Sequence, residues 1–211
     1  MRKLVAMVLA LVLLGVSCSD DGDTGSSAEA GTPADTETSA DTGNAEPIIV
    51  MVTNDDGVGA EGIDALVEAL DARDDVEVVV VAPDVNKSGS GGKTTGGSLE
   101  ATETTTASGH EATAVDGFPA DSVIHGLETM GIEADLVVSG INDGQNIAQV
   151  VDISGTVGAA RQAAQLGVPA LATSQGFGDP PDFPGAVRLV MEWLDDNMES
   201  IRSGAIGTDT V

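Results

Sequence analysis

The run Ile48-Ile49-Val50-Met51-Val52 is apolar at every position, the pattern a strand needs when both of its faces are covered. It stops abruptly at Thr53-Asn54-Asp55-Asp56-Gly57, and beyond this turn Ile63, Leu66, Val67 and Leu70 recur at helical spacing. A second apolar run over 76–81 ends at Ala82-Pro83-Asp84 and completes a strand–helix–strand unit. The pattern further predicts a helix over 121–130, a strand over 135–139, a helix over 156–166 and a short strand over 169–173. Ala186, Val187, Val190, Met191, Leu194 and Met198 mark a last amphipathic helix, with Trp193 beside its stripe as core packing rather than a ligand platform. Strands alternating with helices predict an α/β fold with a doubly wound, mostly parallel sheet. Segment 89–109, rich in Gly, Ser and Thr, fits no single element and reads as an active-site loop, an irregular hairpin or both.

The N-terminal texture is different. Met1-Arg2-Lys3, the apolar stretch 4–16 and Ser17-Cys18 have the layout of a secretory leader, and that stretch is too short to span a bilayer comfortably. Small residues before the single cysteine suggest a lipobox, with cleavage before Cys18 and a lipid on its sulfur; an ordinary secretory signal with an incidental cysteine is the other reading. Residues 1–18 are therefore assigned to the leader. Segment 19–46 holds eight carboxylates, no basic residue and almost nothing apolar, and is expected to be a disordered acidic tether. Segment 47–211 is the globular domain. The expected location is outside the cytoplasm, lipid-anchored on the cell membrane, or otherwise periplasmic or secreted.

Charge narrows the partners. Over 211 residues, 8 Lys+Arg face 35 Asp+Glu, a formal net charge of −27 that repels phosphate backbones and argues against a nucleic-acid polymer. Three Phe, one Trp and no Tyr leave no platform for stacking a single strand. A small anion would have to be met by a metal or by backbone N–H groups.

In an open parallel sheet the ligand crevice lies at the carboxyl ends of the strands, so the polar residues that follow each apolar run matter most. Asp55-Asp56 are adjacent carboxylates, which repel unless a hard cation such as Mg²⁺ or Mn²⁺ sits between them; a solvated turn would use the same residues. Asp84-Val85-Asn86-Lys87-Ser88-Gly89-Ser90 offers hydroxyls and a cation after the second strand. Ser139 to Asn146 brings amides that can supply oxygen to a metal or N–H to an anion, or simply form a polar turn. Ser154-Gly155-Thr156 opens a helix, either as a phosphate cradle or as a plain cap. All four fall on one rim, and together they supply what metal-assisted phosphate-ester hydrolysis requires.

These blocks resemble the SurE survival-protein family. The resemblance is carried by Val52-Thr53-Asn54-Asp55-Asp56-Gly57-Val58 with Gly62-Ile63, and by Val80-Val81-Ala82-Pro83 followed by Asn86-Lys87-Ser88-Gly89. It continues through Asp116-Gly117-Phe118-Pro119-Ala120-Asp121, Val138 to Asn146, and Ser154-Gly155-Thr156-Val157, so that it covers Ile48 to about Leu194. It implies a Rossmann-like sheet in three layers and a metal-dependent phosphatase acting on nucleoside 5′- and 3′-monophosphates. It further implies one divalent cation per subunit, Mg²⁺ or Mn²⁺, held by Asp55, Asp56, Ser88 and Asn142, with phosphate contacted by Asn146, Ser154, Gly155 and Thr156. Asp55 and Asp56 are the catalytic pair by this resemblance; Asp55 is assigned the orientation of an attacking water, and a covalent aspartyl-phosphate on Asp55 is the competing mechanism.

Three departures shape further expectations. Glu61 stands where the family usually carries Pro, and loop 90–97 is Gly-rich, so base preference is open. The sequence stops at Val211, where relatives usually continue into another strand and a dimer-forming extension, so an incomplete domain of lowered stability and an uncertain homo-oligomer are expected. His125 is read as packed or solvated, and His110 is kept outside the matched blocks. The leading expectation is an exported, lipid-anchored nucleotidase; the alternative is a lipoprotein that binds a phosphate-bearing ligand without hydrolysing it.

Overall fold

The structure, a computed structural model, describes residues 46–208. The expected leader with Cys18, and all of the expected tether except Glu46, lie outside the described residues. The element order is β1 (Ile48–Thr53), α1 (Glu61–Asp71), β2 (Val76–Pro83), β3 (Ala101–Thr105), β4 (Glu111–Val115), α2 (Pro119–Ile124), β5 (Leu136–Asn142), α3 (Gly155–Gln165), β6 (Ala170–Ser174) and α4 (Phe183–Arg202). The strands form one six-stranded sheet in the order β3-β4-β2-β1-β5-β6. Every neighbouring pair is parallel except β3 with β4. Among the described residues no helix is long and apolar enough to cross a membrane.

The unbroken apolar runs are explained by burial on both faces. Along β1, Val50 and Val52 pack with Ile63, Leu66 and Leu70 of α1 and Val190 and Leu194 of α4, whereas Met51 faces Val123 of α2 and Ala159, Ala160 and Ala163 of α3. The result is the three-layer, doubly wound α/β arrangement expected from the sequence. The small side chains of α3 let it pack closely over the sheet and against α2.

Four local differences from the sequence expectation stand out. Segment 89–109 is part loop and part hairpin: β3 pairs antiparallel with β4, a strand the periodicity did not reveal. β3 is exposed at all five positions, so it carries no apolar signal. The helix expected over 121–130 begins at Pro119 and is α-helical only to Ile124, after which His125–Thr129 form a wider π-type turn. Proline suits this start because its missing N–H would have no helical partner there, and the Asp121 carboxylate accepts from Phe118 N at 2.9 Å. Finally, β5 runs on to Asn142, so Ser139 to Asn142 are strand rather than turn, and a short 3-10 turn occupies Ala148–Asp152.

Candidate active site

β1 lies between β2 on one side and β5 on the other, and the chain leaves it toward β2 before crossing back to β5. This is the topological switch point of the sheet, where the strand ends open a crevice. The turn after β1 is clamped by Asn54, whose Nδ2 donates to Gly57 O at 2.8 Å while Gly57 N donates to Asn54 Oδ1 at 3.2 Å. Lys87 N donates to Asp55 O at 2.7 Å and fixes the loop after β2 against this turn.

Asp55 is only 2% exposed. Its Oδ1 accepts from Thr156 Oγ1 at 2.7 Å, and the same hydroxyl lies 3.2 Å from Asn142 Oδ1. A hydroxyl has one proton to give, and the charged, nearer carboxylate takes it. Asn142 Nδ2 donates to Gly144 O, which turns its Oδ1 toward the same point. Asp56, half-buried, accepts from Asn86 Nδ2 at 3.1 Å and Ser88 Oγ at 3.4 Å on Oδ1, and from Asp143 N at 3.0 Å on Oδ2. Burial pushes the Asp55 carboxyl above its usual range; the Thr156 hydrogen bond opposes this, and the negative charge of Asp56 reinforces it.

The start of α3 presses directly on this carboxylate. Ser154 caps the helix by accepting from Val157 N at 3.2 Å. A Cβ on Gly155 would fall 2.7 Å from Asp55 Cβ and 2.8 Å from Ser90 Oγ, so only glycine fits at this approach. Ser90 is 7% exposed, and its Oγ has no hydrogen-bond partner. This hydroxyl, like those of Thr53, Ser122 and Ser139, is buried without a partner, and it lies against the start of α3.

Two carboxylates, an amide oxygen and a hydroxyl are hard oxygen ligands, as Mg²⁺ and Mn²⁺ prefer. Among the described residues there is no group of three or more His, Cys, Asp or Glu able to hold a metal, so Asp55 and Asp56 need the neutral oxygens of Asn142 and Ser88 beside them. Such a set suits an ion that retains exchangeable positions for water and substrate rather than a closed structural site.

The residues expected to hold the cation and the phosphate all come to one end of the sheet. Ser88, Asn142, Asn146 and Ser154 line one cleft of about 210 Å³, and Asn146 Nδ2 donates to Ser174 Oγ at 2.8 Å at the end of β6. Gly155 and Thr156 stand behind it, against Asp55. Cys18 lies outside the described residues. His110 sits at the opposite end of the sheet, at the start of β4, with Nδ1 3.7 Å from Asp71 Oδ1. It borders a wider groove of about 810 Å³ that includes none of the residues expected to hold the cation or the phosphate.

Sequence reasoning missed the burial of Ser90, for which the only signal was a second hydroxyl two residues after Ser88. It also missed the function of Asp121, whose buried carboxylate accepts from Thr95 N at 2.9 and 3.0 Å and from Thr95 Oγ1 at 2.9 Å. That contact ties the Gly-rich loop carrying Ser90 to α2.

Comparison with known proteins gives a consistent result. The family model described as Survival protein SurE matches residues 50–207. The chain is 44% identical over 138 residues to the 5′-nucleotidase SurE of Halobacterium salinarum, covering 62% of this chain and 50% of that protein. It is 43% identical over 152 residues to the 5′-nucleotidase SurE of Desulfatibacillum aliphaticivorans, covering 71% of this chain and 59% of the relative. The crystal structure of the SurE protein from Aquifex aeolicus aligns with a TM-score of 0.63 and 33% identity, over 72% of this chain and 60% of that one. The chain thus spans about half the length of the curated relatives it matches. With the family model covering most of its length, and the paired aspartates meeting Asn142 and the α3 start at the switch point, the chain belongs to the SurE family.

Proposed function

We propose that this protein is a divalent-cation-dependent nucleotidase that hydrolyses nucleoside 5′- or 3′-monophosphates to nucleoside and phosphate. The observation that carries the reading is the buried Asp55, bonded to Thr156 at the start of α3, next to Asp56 and facing Asn142. Asp55, Asp56, Asn142 and Ser88 would hold Mg²⁺ or Mn²⁺, which supplies a Lewis acid for a phosphoryl oxygen and lowers the pKa of a bound water. Asn146, Ser154 and the backbone at Gly155 and Thr156 would receive the phosphate, with the Ser90 hydroxyl as a further donor. Asp55, almost sealed from water and held in direction by Thr156, is the group assigned to orient the water for attack. The water oxygen then bonds to phosphorus as the P–O ester bond breaks, and the proton given up by the water is returned to the leaving oxygen, which departs as the nucleoside hydroxyl.

The same reading places the enzyme outside the cytoplasm, anchored through lipid on Cys18. Export and anchoring are supported by the leader layout and the acidic, basic-free composition of 19–46. Labelling with a radioactive fatty acid, with Cys18→Ser as control, tests this part independently.

The enzymatic part is tested by phosphate release from AMP by the full chain with Mn²⁺, with EDTA, and in Asp55→Asn. Release that needs the metal and disappears in Asp55→Asn is the expected result. A chain shown to be folded by circular dichroism that releases nothing from any nucleoside monophosphate would overturn the reading in favour of ligand binding alone. Trapping a phosphorylated Asp55 would replace the water route by a covalent one.

A further inference from the structure

The cleft that holds the candidate phosphate residues has an apolar mouth. Phe177 is 80% exposed, the most exposed large hydrophobic side chain among the described residues, and Val150 and Ile153 line the same cleft as exposed residues. The chain has only three Phe; Phe183 is buried and Phe118 half-buried, so leaving the third in solvent is not a general habit of this protein. Phe177 is also backed. Gly144, at φ +107°, would place a Cβ 3.2 Å from the Phe177 ring, so the absence of a side chain there lets the ring lie along the backbone beside Asn142. Exposed apolar side chains gathered at one rim, next to convergent polar groups, mark a ligand surface.

We infer that Phe177, with Val150 and Ile153 of the same cleft, forms a slot for the base of the nucleotide, the aromatic ring stacking on its face. The inference rests on the nucleotidase reading for what lies at the other end of the cleft, and it adds where the nucleoside lies and how it is recognised. Three observations favour a base over other apolar groups. The slot is continuous with Ser88, Asn142, Asn146 and Ser154, so a molecule with a phosphate at one end and a flat apolar ring at the other spans it. The cleft is lined by no Lys or Arg, so apart from the proposed cation no positive charge of the protein draws a phosphate dianion in, and contact with the rest of the substrate adds to affinity. One aromatic ring in a cleft shared with branched aliphatic side chains accepts any planar base by its face, and stacking of this kind is tolerant of base identity.

The experiment uses the full chain and Phe177→Ala, with Phe177→Trp as the conservative variant. Because Phe177 is exposed, its replacement leaves the core intact. Turnover is measured on AMP and on ribose 5-phosphate, which has the phosphate and sugar but no base; binding of adenosine, which has no phosphate, is followed by saturation-transfer NMR. In Phe177→Ala, KM for AMP rises about tenfold with kcat nearly unchanged, the size expected for one lost stacking contact. Ribose 5-phosphate is unaffected, the adenosine signal disappears, and Phe177→Trp restores both. Equal effects on AMP and ribose 5-phosphate, or an adenosine signal unchanged in Phe177→Ala, overturn the base slot. Adenosine binding that depends on Phe177, without turnover of any ester, leaves the slot standing and overturns the nucleotidase reading instead.

Discussion

Thr156 is the residue on which Asp55 depends most directly. Its hydroxyl supplies the 2.7 Å hydrogen bond to a carboxylate that is otherwise almost sealed from water. Thr156→Val keeps the volume and removes the donor, so a buried charge loses its partner at an unfolding cost of about 1–3 kcal/mol. Because Thr156 also fixes the direction of Asp55, activity should fall about 10–100-fold, with Thr156→Ser recovering most of it. Urea titrations and phosphate-release rates of the two variants check both numbers. Gly155→Ala acts through space rather than charge: its Cβ would meet Asp55 Cβ at 2.7 Å, and the forced shift should cost about 1–3 kcal/mol and nearly all activity. A Gly155→Ala enzyme of normal stability and rate would show that α3 does not press on Asp55 as described.

At this scale legibility followed local chemistry. Adjacent Asp55 and Asp56 after a buried strand betray an electrostatic conflict, and Asn142 betrays itself by its place at the end of another such strand. Ser90 and Phe177 gave no such sign. A serine in a Gly-rich loop resembles any other until the fold buries its hydroxyl beside Asp55, and a phenylalanine after a strand looks like core until the fold leaves it in solvent.

Among the elements, those buried on two faces were legible and those at the margin were not. β1, β2 and β5 announce themselves because every side chain must be apolar when helices cover both sides of the sheet. The β3–β4 hairpin was not legible because its outer strand, Ala-Thr-Glu-Thr-Thr, is exposed throughout, and β4 is short and alternates Ala, Thr and Val. Long-range ties between elements were equally invisible. Arg73, two residues past the end of α1, makes a two-pronged contact with Asp75 at 2.8 and 3.0 Å and reaches Asp195 of α4 at 2.6 Å. The Arg73 hydrogen bonds hold the Asp75 carboxyl below its ordinary range.

Since this carboxyl is depressed in the folded state, its contribution is fully present above the ordinary aspartate value of 3.8 and is lost as pH falls through the lower folded value. Both carboxylates are substantially exposed, so the network is worth only about 1 kcal/mol. Arg73→Met should therefore lower the unfolding free energy by about 1 kcal/mol at neutral pH, and the difference from wild type should shrink in acid below the aspartate range. Chemical denaturation at a series of pH values measures it; a gap that persists unchanged in strong acid would assign the loss to packing of the Arg73 stem instead.

For the molecule as a whole, the dominant fact is a charge of −27 on 211 residues. With eight basic side chains for 35 acidic ones, most carboxylates have no cation to pair with, and ion pairs such as Lys87 with Asp84 and Arg188 with Glu192 have exposed partners. Exposed like charges repel over roughly 30 Å at 0.01 M salt but only about 3 Å at 1 M. The compact state concentrates that repulsion more than the unfolded chain does, so screening should favour folding. The core itself, made of Val, Leu, Ile and Ala on both faces of the sheet, does not depend on salt in this way. Raising KCl from about 0.05 M to 1 M should therefore increase Tm by roughly 2–8 °C, the shift that about 1–2 kcal/mol gives for a domain of this size. KCl is the discriminating salt, because sulfate would strengthen apolar burial as well and confuse the two effects. A matched scan of a variant in which several exposed carboxylates on the outer face of α4, such as Glu192, Asp196 and Glu199, are changed to Gln or Asn should start at a higher Tm and gain less from salt. If both proteins gained equally, the stabilisation would come from general ion effects on the core rather than from relief of repulsion.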